Sequence, residues 1–472
     1  MVFNWSSGSS AQMSVAQRLA ALIVATGERP LSAQSIYWSR MGLLDTLGVT
    51  LAGATEDAAR IVAAVTIADN AQGVAGPSLI IGTRQRASVL DAALVNGTAA
   101  HALDFDNATN TMFGHASATM IPALLAAAEA FGGSGRDVLC AHVVGFETGA
   151  RIGRAVNMHH YEIGWHPTST LGVFAVAAAS ARLLRLDVQQ TATALAIATS
   201  LSSGSKANFG TMTKPLHSGQ CARAGLMAAL LARKGFTANA HAFEHQQGFF
   251  NLYDGPGNFD AVRAFENWGD PLDIVDPGAC YKQYPCCAST HAAIDAVLAL
   301  RDQHGPLSPD AIARIDTFTP ARRLAHTNRP DPQSALDAKF SVQYCVARAL
   351  LSGAAEFEHF EGDAYRDPKV RALLAKVSSA PYRSGQFPEA NNAGAEVRIT
   401  LHNGDVLSSR IERALGRTAQ NAIPEVRMRD KFKSCARRVL REDTVASVLE
   451  AVDAFEAAPG VAPLMSLLMP DE

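Results

Sequence analysis

Between Ser14 and about Asp273 the chain is one apolar helical run after another, many of them dominated by alanine, and this constrains the fold more than any other feature. Runs such as Leu124-Leu-Ala-Ala-Ala-Glu-Ala130 and Val173-Phe-Ala-Val-Ala-Ala-Ala-Ser180 carry little bulk. Small side chains let helices approach closely on several sides, so the pattern predicts a many-helix core. Ser14-Val-Ala-Gln17 and Ser88-Val-Leu-Asp91 read as capping boxes that open such runs, and Gly27, Gly132 and Gly235 stand where runs stop. The runs share no period in the range of roughly 20 to 50 residues that marks a solenoid. Arg, Asp, Gln or His interrupts each of them before the ~18 apolar residues that a membrane span requires.

The pattern changes near Val275-Asp-Pro-Gly278. Ser308-Pro309 caps a short helix before the β-like Ile315-Asp-Thr-Phe-Thr319. Glu396-Val-Arg-Ile-Thr-Leu401 alternates, and Asn403-Gly404 joins it to Val406-Leu-Ser-Ser-Arg-Ile411 as a hairpin. Helical patterns at Lys339–Leu351, closed by Gly353, and from Asp367-Pro368 to Val377 lie between the strands. After Pro424 helix returns, at Arg427–Arg441 and Thr444–Ala457, and about fifty residues of amphipathic helix bury no core alone. The expected architecture is mainly α: a large helical domain made from both chain ends (1–274 and 419–472) with a smaller α+β lid domain (275–418) inserted.

Charged residues make up 18% of the 472, against roughly 25% in an average globular chain, and hydrophobic residues 48%, so extra surface is expected to be buried between subunits. Forty-one Lys and Arg against 44 Asp and Glu give a net charge of −3 without like-charge blocks, which disfavours nucleic acid and membrane surfaces as partners. Met1–Met13 lacks the basic and apolar regions of a signal peptide and reads as a loose tail, so a cytoplasmic location is expected. Seven cysteines without a C-x-x-C pair read as reduced core thiols.

Gly114-His115-Ala-Ser117, Trp165-His166-Pro-Thr168 and Lys214-Pro-Leu-His217-Ser218 each set a His or Lys just before a Ser or Thr at a helix entrance. Free backbone N–H groups and the helix dipole there favour a carboxylate or phosphate and disfavour imidazolium, which suits a base acting near neutral pH. Lys214 precedes a proline and is expected in an extended loop. Any one such histidine is as readily a capping residue; three such entrances together point to a site. Asp104, at the end of a helical run, reads on its own as a loop or capping acid. Cys280, Cys286, Cys287 and His291 lack the spacing of a structural zinc site, and no metal is expected. Gly132-Gly-Ser-Gly135 follows a helix and reads as a turn, Ser202-Ser-Gly-Ser205 as a flexible connection, and neither a Walker A sequence nor a G-x-S-x-G elbow occurs.

Four segments in order, Val95-Asn-Gly-Thr-Ala-Ala-His-Ala-Leu-Asp-Phe-Asp106, Gly164-Trp-His-Pro-Thr-Ser-Thr170, Gly210-Thr-Met-Thr-Lys-Pro-Leu-His-Ser-Gly219 and Tyr281-Lys-Gln-Tyr-Pro285, resemble the MmgE/PrpD superfamily over nearly the whole chain. That superfamily contains 2-methylcitrate dehydratases, cis-aconitate decarboxylases and iminodisuccinate epimerases. The resemblance implies a helical domain with an inserted lid, a site in the cleft between them, a homodimer and no metal or organic cofactor. It assigns site positions to Asp104, His115, His166 and Lys214 of the helical domain, and to Lys282 and Tyr344 of the second. Relatives often read Asp-Phe-Asp-Asp-Thr where this chain has Asp104-Phe-Asp-Asn-Ala108, so a site threonine is missing unless Thr109 replaces it. Many also have Pro where Ala116 stands. Both changes are expected to border the substrate. The phrase His160-Tyr-Glu-Ile-Gly-Trp-His-Pro-Thr-Ser-Thr-Leu-Gly-Val-Phe174 looks closest to the epimerase branch.

The expected activity is α-proton abstraction from a small di- or tricarboxylic acid without cofactor, chiefly dehydration of the 2-methylcitrate type, with epimerisation or decarboxylation as alternatives from the same site. His166 or His115 would take the proton, with Asp104 and Tyr344 beside them. Lys214 and Lys282, aided by Thr109 and His217, would bind the substrate and stabilise the developing dianion. Two lysines on opposite domains suggest that two ends of an acid of roughly four to seven carbons are clamped, with Asn107-Ala108 choosing among such acids. The rival reading is a non-catalytic helical scaffold, which has no need of charged groups in a cleft.

Overall fold

The computed structural model describes residues 13–67, 76–383, 385–388 and 393–470; the N-terminal tail discussed above lies almost wholly outside them. The molecule is mainly helical. Ser14 closes a full capping box with Gln17 at the start of the Val15–Glu28 helix. Ser88 accepts from the Asp91 N–H to start Val89–Ala102, although Asp91 turns back to the Ser88 hydroxyl and not to its N–H. Ser134, in the glycine-rich turn, caps Gly135–Val156.

Alanine and glycine act as the sequence predicts. The Gly172–Leu183 helix is buried along almost its whole length. At Gly219 a Cβ would lie 2.2 Å from the Leu94 carbonyl oxygen and from Thr98 Oγ1, and at Gly97 one would lie 2.9 Å from the Gly219 Cα. The Val89–Ala102 and Thr213–Arg233 helices therefore touch backbone to backbone. That contact brings the C-terminal end of the first, which leads into Asp104, toward the start of the second, which carries Lys214.

One large core takes buried residues from Val15 to Tyr281 and again from Ile423 to Leu468, so the C-terminal helices Glu425–Ala436 and Glu442–Asp453 pack into the N-terminal body. A second core holds residues between Tyr284 and Ala414. It is built on a four-stranded sheet in the order Val377–Pro381, Ile312–Thr319, Ala395–Leu401, Val406–Ile411, the first pair parallel and the others antiparallel. Asn403 and Gly404 turn the expected hairpin.

Two local readings need correction. The 339–351 pattern is split: helices Ala335–Lys339 and Val342–Ser352 part at Phe340, because Ser341 caps the second through the Tyr344 N–H. Residues 367–377 are not one helix, since Pro368–Leu374 stops and Val377 opens a strand, paired to Ile315, that the sequence reading left out. Gly353 ends its helix in the left-handed conformation (φ 72°), as its position implied. No helix among the described residues is long and apolar enough to cross a membrane, and all seven cysteines are free thiols.

Candidate active site

The Val89–Ala102 helix gives way to Asp104, a non-glycine residue at φ +52°, a conformation that costs energy and turns its carboxylate out of the helix line. Asp104 Oδ1 lies 2.7 Å from Lys214 Nζ and 3.1 Å from Lys282 Nζ, while Lys282 also donates to the Asp104 carbonyl. His115 Nε2 stands 3.8 Å from the same oxygen. Burial opposes ionisation of Asp104, but Lys214, Lys282 and His115 outweigh it and hold the carboxyl well below its usual range. Burial likewise opposes the charge on Lys282, and Asp104 and Asp106 overcome it, so Lys282 stays protonated above the ordinary lysine range.

Behind this group Asp106 is fully buried and reaches two imidazoles: Oδ1 lies 3.0 Å from His101 Nδ1 and Oδ2 2.9 Å from His115 Nδ1. Both rings thus turn Nε2 away from Asp106, the orienting role that a carboxylate plays behind a working histidine. Burial opposes the negative charge of Asp106 as well, and His101 and His115 draw its pKa well down. His101 is itself pushed down to about 4, by burial foremost and by Lys214 and His115 next, against the pull of Asp106. Its Nε2 has no hydrogen-bond partner among the described residues.

His166 precedes the short Pro167–Thr170 helix, as expected, with Nδ1 3.1 Å from His217 Nδ1 and its ring 5.8 Å from that of His101. Burial, then the neighbouring His101, Lys214, His115 and His217, holds it well below the ordinary imidazole range. His217 is lowered too, by burial and then Lys214. Ser202 and Gly204 anchor this corner: Gly204 accepts the His166 N–H and Ser202 bonds to Thr170, so the serine-rich stretch is a fixed brace and not a loose connection.

The structure therefore gathers Asp104, His115, His166, Lys214, Lys282 and His217. It corrects several expectations. Lys214 is the second residue of the Thr213–Arg233 helix and not part of an extended loop, because a proline in the first turn leaves no helical hydrogen bond unmade. Lys282 sits at a joint, between Tyr281 in the first core and Tyr284 in the second. Both lysines meet one oxygen of Asp104 and make a single cationic locus.

Tyr344 is fully buried in the second core, with its hydroxyl donating to the His359 carbonyl and receiving from Arg348. Nothing brings it to Asp104. Thr109 Oγ1 accepts the Met112 N–H, and Thr109 pairs with Ala279 in a two-residue ladder, so its hydroxyl closes a local turn. Asn107 is fully buried and gives its N–H and side-chain amide to Asp45, away from the histidines.

Sequence reasoning missed His101 and Asp106. Their five-residue separation across a helix end, inside the Val95–Asp106 segment, was the available signal. His101, Asp104, Asp106 and His115 place four possible metal-ligand atoms within 4.8 Å of one another, although two ammonium groups already engage the Asp104 oxygen.

Fold and site together define a helical protein with a buried lysine, aspartate and histidine cluster suited to an organic anion. Sequence comparison agrees in two pieces: residues 17–261 match the MmgE/PrpD N-terminal domain and residues 284–457 the MmgE/PrpD C-terminal domain. Cis-aconitate decarboxylase of Homo sapiens is 30% identical over 452 residues, covering 93% of this chain and 91% of that protein. The Mus musculus cis-aconitate decarboxylase is 30% identical over 80% of this chain and 78% of its own. That of Aspergillus terreus is 27% identical over 83% and 84%. The chain belongs to the MmgE/PrpD family.

Proposed function

We propose that the chain is a carboxy-lyase that removes CO₂ from a small unsaturated tricarboxylate of the cis-aconitate kind. The observation that carries this is the convergence of Lys214 and Lys282 on one oxygen, beside His115 and near His101 and His166, two imidazoles whose charged form burial disfavours. The named relatives support decarboxylation over the 2-methylcitrate-type dehydration that the sequence reading put first, and nothing in the comparisons favours epimerisation.

A substrate carboxylate is seated against the two ammonium groups, whose charge is already fixed in place and needs no reorganisation. The carbon–carbon bond to a second carboxylate breaks, CO₂ leaves, and the electron pair spreads through the adjacent double bond toward the carboxylate held by the lysines. A proton from solvent, relayed through His115 or His166, forms the new carbon–hydrogen bond. Asp106 keeps His115 oriented while this occurs. In this reading the second core acts as a lid: because Lys282 lies at the joint, closure of the two cores completes the cationic locus. The protein works as a cytoplasmic homodimer without a metal or organic cofactor.

Proton NMR in D₂O, with cis-aconitate, 2-methylcitrate and iminodisuccinate offered separately, tests the assignment. The expected result is CO₂ release from cis-aconitate with one deuterium in the product. Loss of water from 2-methylcitrate, or hydrogen exchange without CO₂, at a higher rate would overturn it.

A further inference from the structure

A single exposed phenylalanine is ordinary, and Phe209 is set apart by what it touches. It lies in neither of the two cores and is 37% exposed. Its ring centroid stands 4.8 Å from that of His166, with the two planes nearly perpendicular at 83°. The same centroid lies 5.4 Å from Lys214 Nζ, within reach of a cation–π contact. His166 is only 2% exposed, so Phe209 meets a buried imidazole with one part of its ring and water with another.

The backbone holds the ring in this place. Ser205 bridges to Trp165, the Lys206 N–H donates to the Gly164 carbonyl at 2.8 Å, and Lys206 Nζ donates to the Tyr161 carbonyl at 2.7 Å. The Phe209 N–H donates to the Lys206 carbonyl at 3.0 Å. Gly210, at φ +87° with open space where a Cβ would stand, then turns the chain toward the Thr213–Arg233 helix.

We infer that Phe209 is a specificity-determining residue of the site: its ring covers His166 and Lys214 from water and packs against the carbon skeleton of an acid whose carboxylate is bound at Lys214. This rests on the reading of the chain as acting on a polycarboxylate. A carboxylate seated on Lys214 Nζ lies beside the ring, because that nitrogen already does. Covering the exposed part of the ring with the ligand takes apolar surface out of water, and a drier site strengthens the attraction between ammonium and carboxylate. Since neither core uses the ring, its removal harms binding and leaves the fold intact.

The test uses tricarballylate, a saturated tricarboxylate that cannot be decarboxylated by this route, with calorimetric titration, thermal melting and fluorescence of the full chain. Phe209→Ala is expected to melt at the wild-type temperature and to bind tricarballylate about tenfold more weakly, while Phe209→Tyr binds it as the wild type does. Phe209→Trp is expected to shift its emission to shorter wavelength when tricarballylate is added, beyond any shift of the wild type, as the ring leaves water. Phe209→Ala binding tricarballylate within about twofold of wild type overturns the inference. So does a Phe209→Trp emission that stays unchanged while calorimetry shows binding. A Phe209→Ala variant that light scattering finds smaller than the wild type overturns it too, by placing the ring between copies of the chain. In each case turnover of cis-aconitate by the wild type leaves the proposed function standing. A wild type that neither binds tricarballylate nor transforms any polycarboxylate removes the functional reading itself, and this inference with it.

Discussion

Asp104 holds two ammonium groups on one carboxylate oxygen, so deleting either lysine leaves the other in place. Lys214→Met is accordingly expected to keep the wild-type melting temperature, because Asp104 retains Lys282, while kcat/KM falls on the order of 10²-fold, the size typical of removing one preorganised charge stabiliser. A melting temperature that drops with the activity would mark Lys214 as structural. Acid should act through the buried histidines. Burial pushes His142, which bonds to Ser39 and Ser117, down to about 3, and His101 down to about 4. The unfolded chain protonates each near pH 6.5 and the folded one only near those lower values, so stability is complete above about pH 6.5 and is lost through the window below it, at about 1.4 kcal/mol per pH unit for each such group. Melting curves from pH 7 to pH 4 should show this fall, and His142→Gln should flatten it.

Among the elements, the Glu425–Ala436 helix matters most to the site, although it contributes no group to it. Its Lys431 pairs with buried Asp45 of the Ala33–Gly53 helix at 2.6 Å and donates to the carbonyls of Phe105 and Lys282, at 2.7 and 3.0 Å. Asp45 in turn receives both donors of Asn107. One buried node therefore fixes the backbone on either side of the Asp104–Lys282 contact. Breaking such a pair on one side leaves an uncompensated charge, so Asp45→Asn should cost about 3–5 kcal/mol by urea denaturation. A loss of kcat/KM should accompany it even in the fraction that stays folded. The departure at Asn107 thus has an architectural role, since the residue serves the node.

For the whole molecule, the low charged fraction argues for buried surface between copies, and light scattering at micromolar protein is expected to give twice the 49.9 kDa chain mass. The four donors around Asp104 and Asp106 make metal dependence a direct question. Activity is expected to survive dialysis against a strong chelator, because ammonium groups already satisfy the Asp104 oxygen that a cation would need; activity that returns only with added metal would refute this.

The sequence by itself determined the helical character, the caps at Ser14 and Ser88, the hairpin at Asn403-Gly404 and the presence of His115 and His166 at helix starts, because each depends on neighbours within a few residues. It also showed that the last fifty residues cannot stand alone, since too little apolar surface lies in them. Only the tertiary structure decided what each polar group faces. His101 and Tyr344 look equally available along the chain, yet one is turned to Asp106 within the site and the other is sealed in the second core against the His359 carbonyl. Asn107 and Thr109 flank the same corner but are used by Asp45 and by Met112. Lys214 and Lys282, 68 residues apart, meet on one oxygen because two glycine-faced helices touch and a joint brings the second lysine back. Long-range packing sets such distances, and local sequence does not encode them.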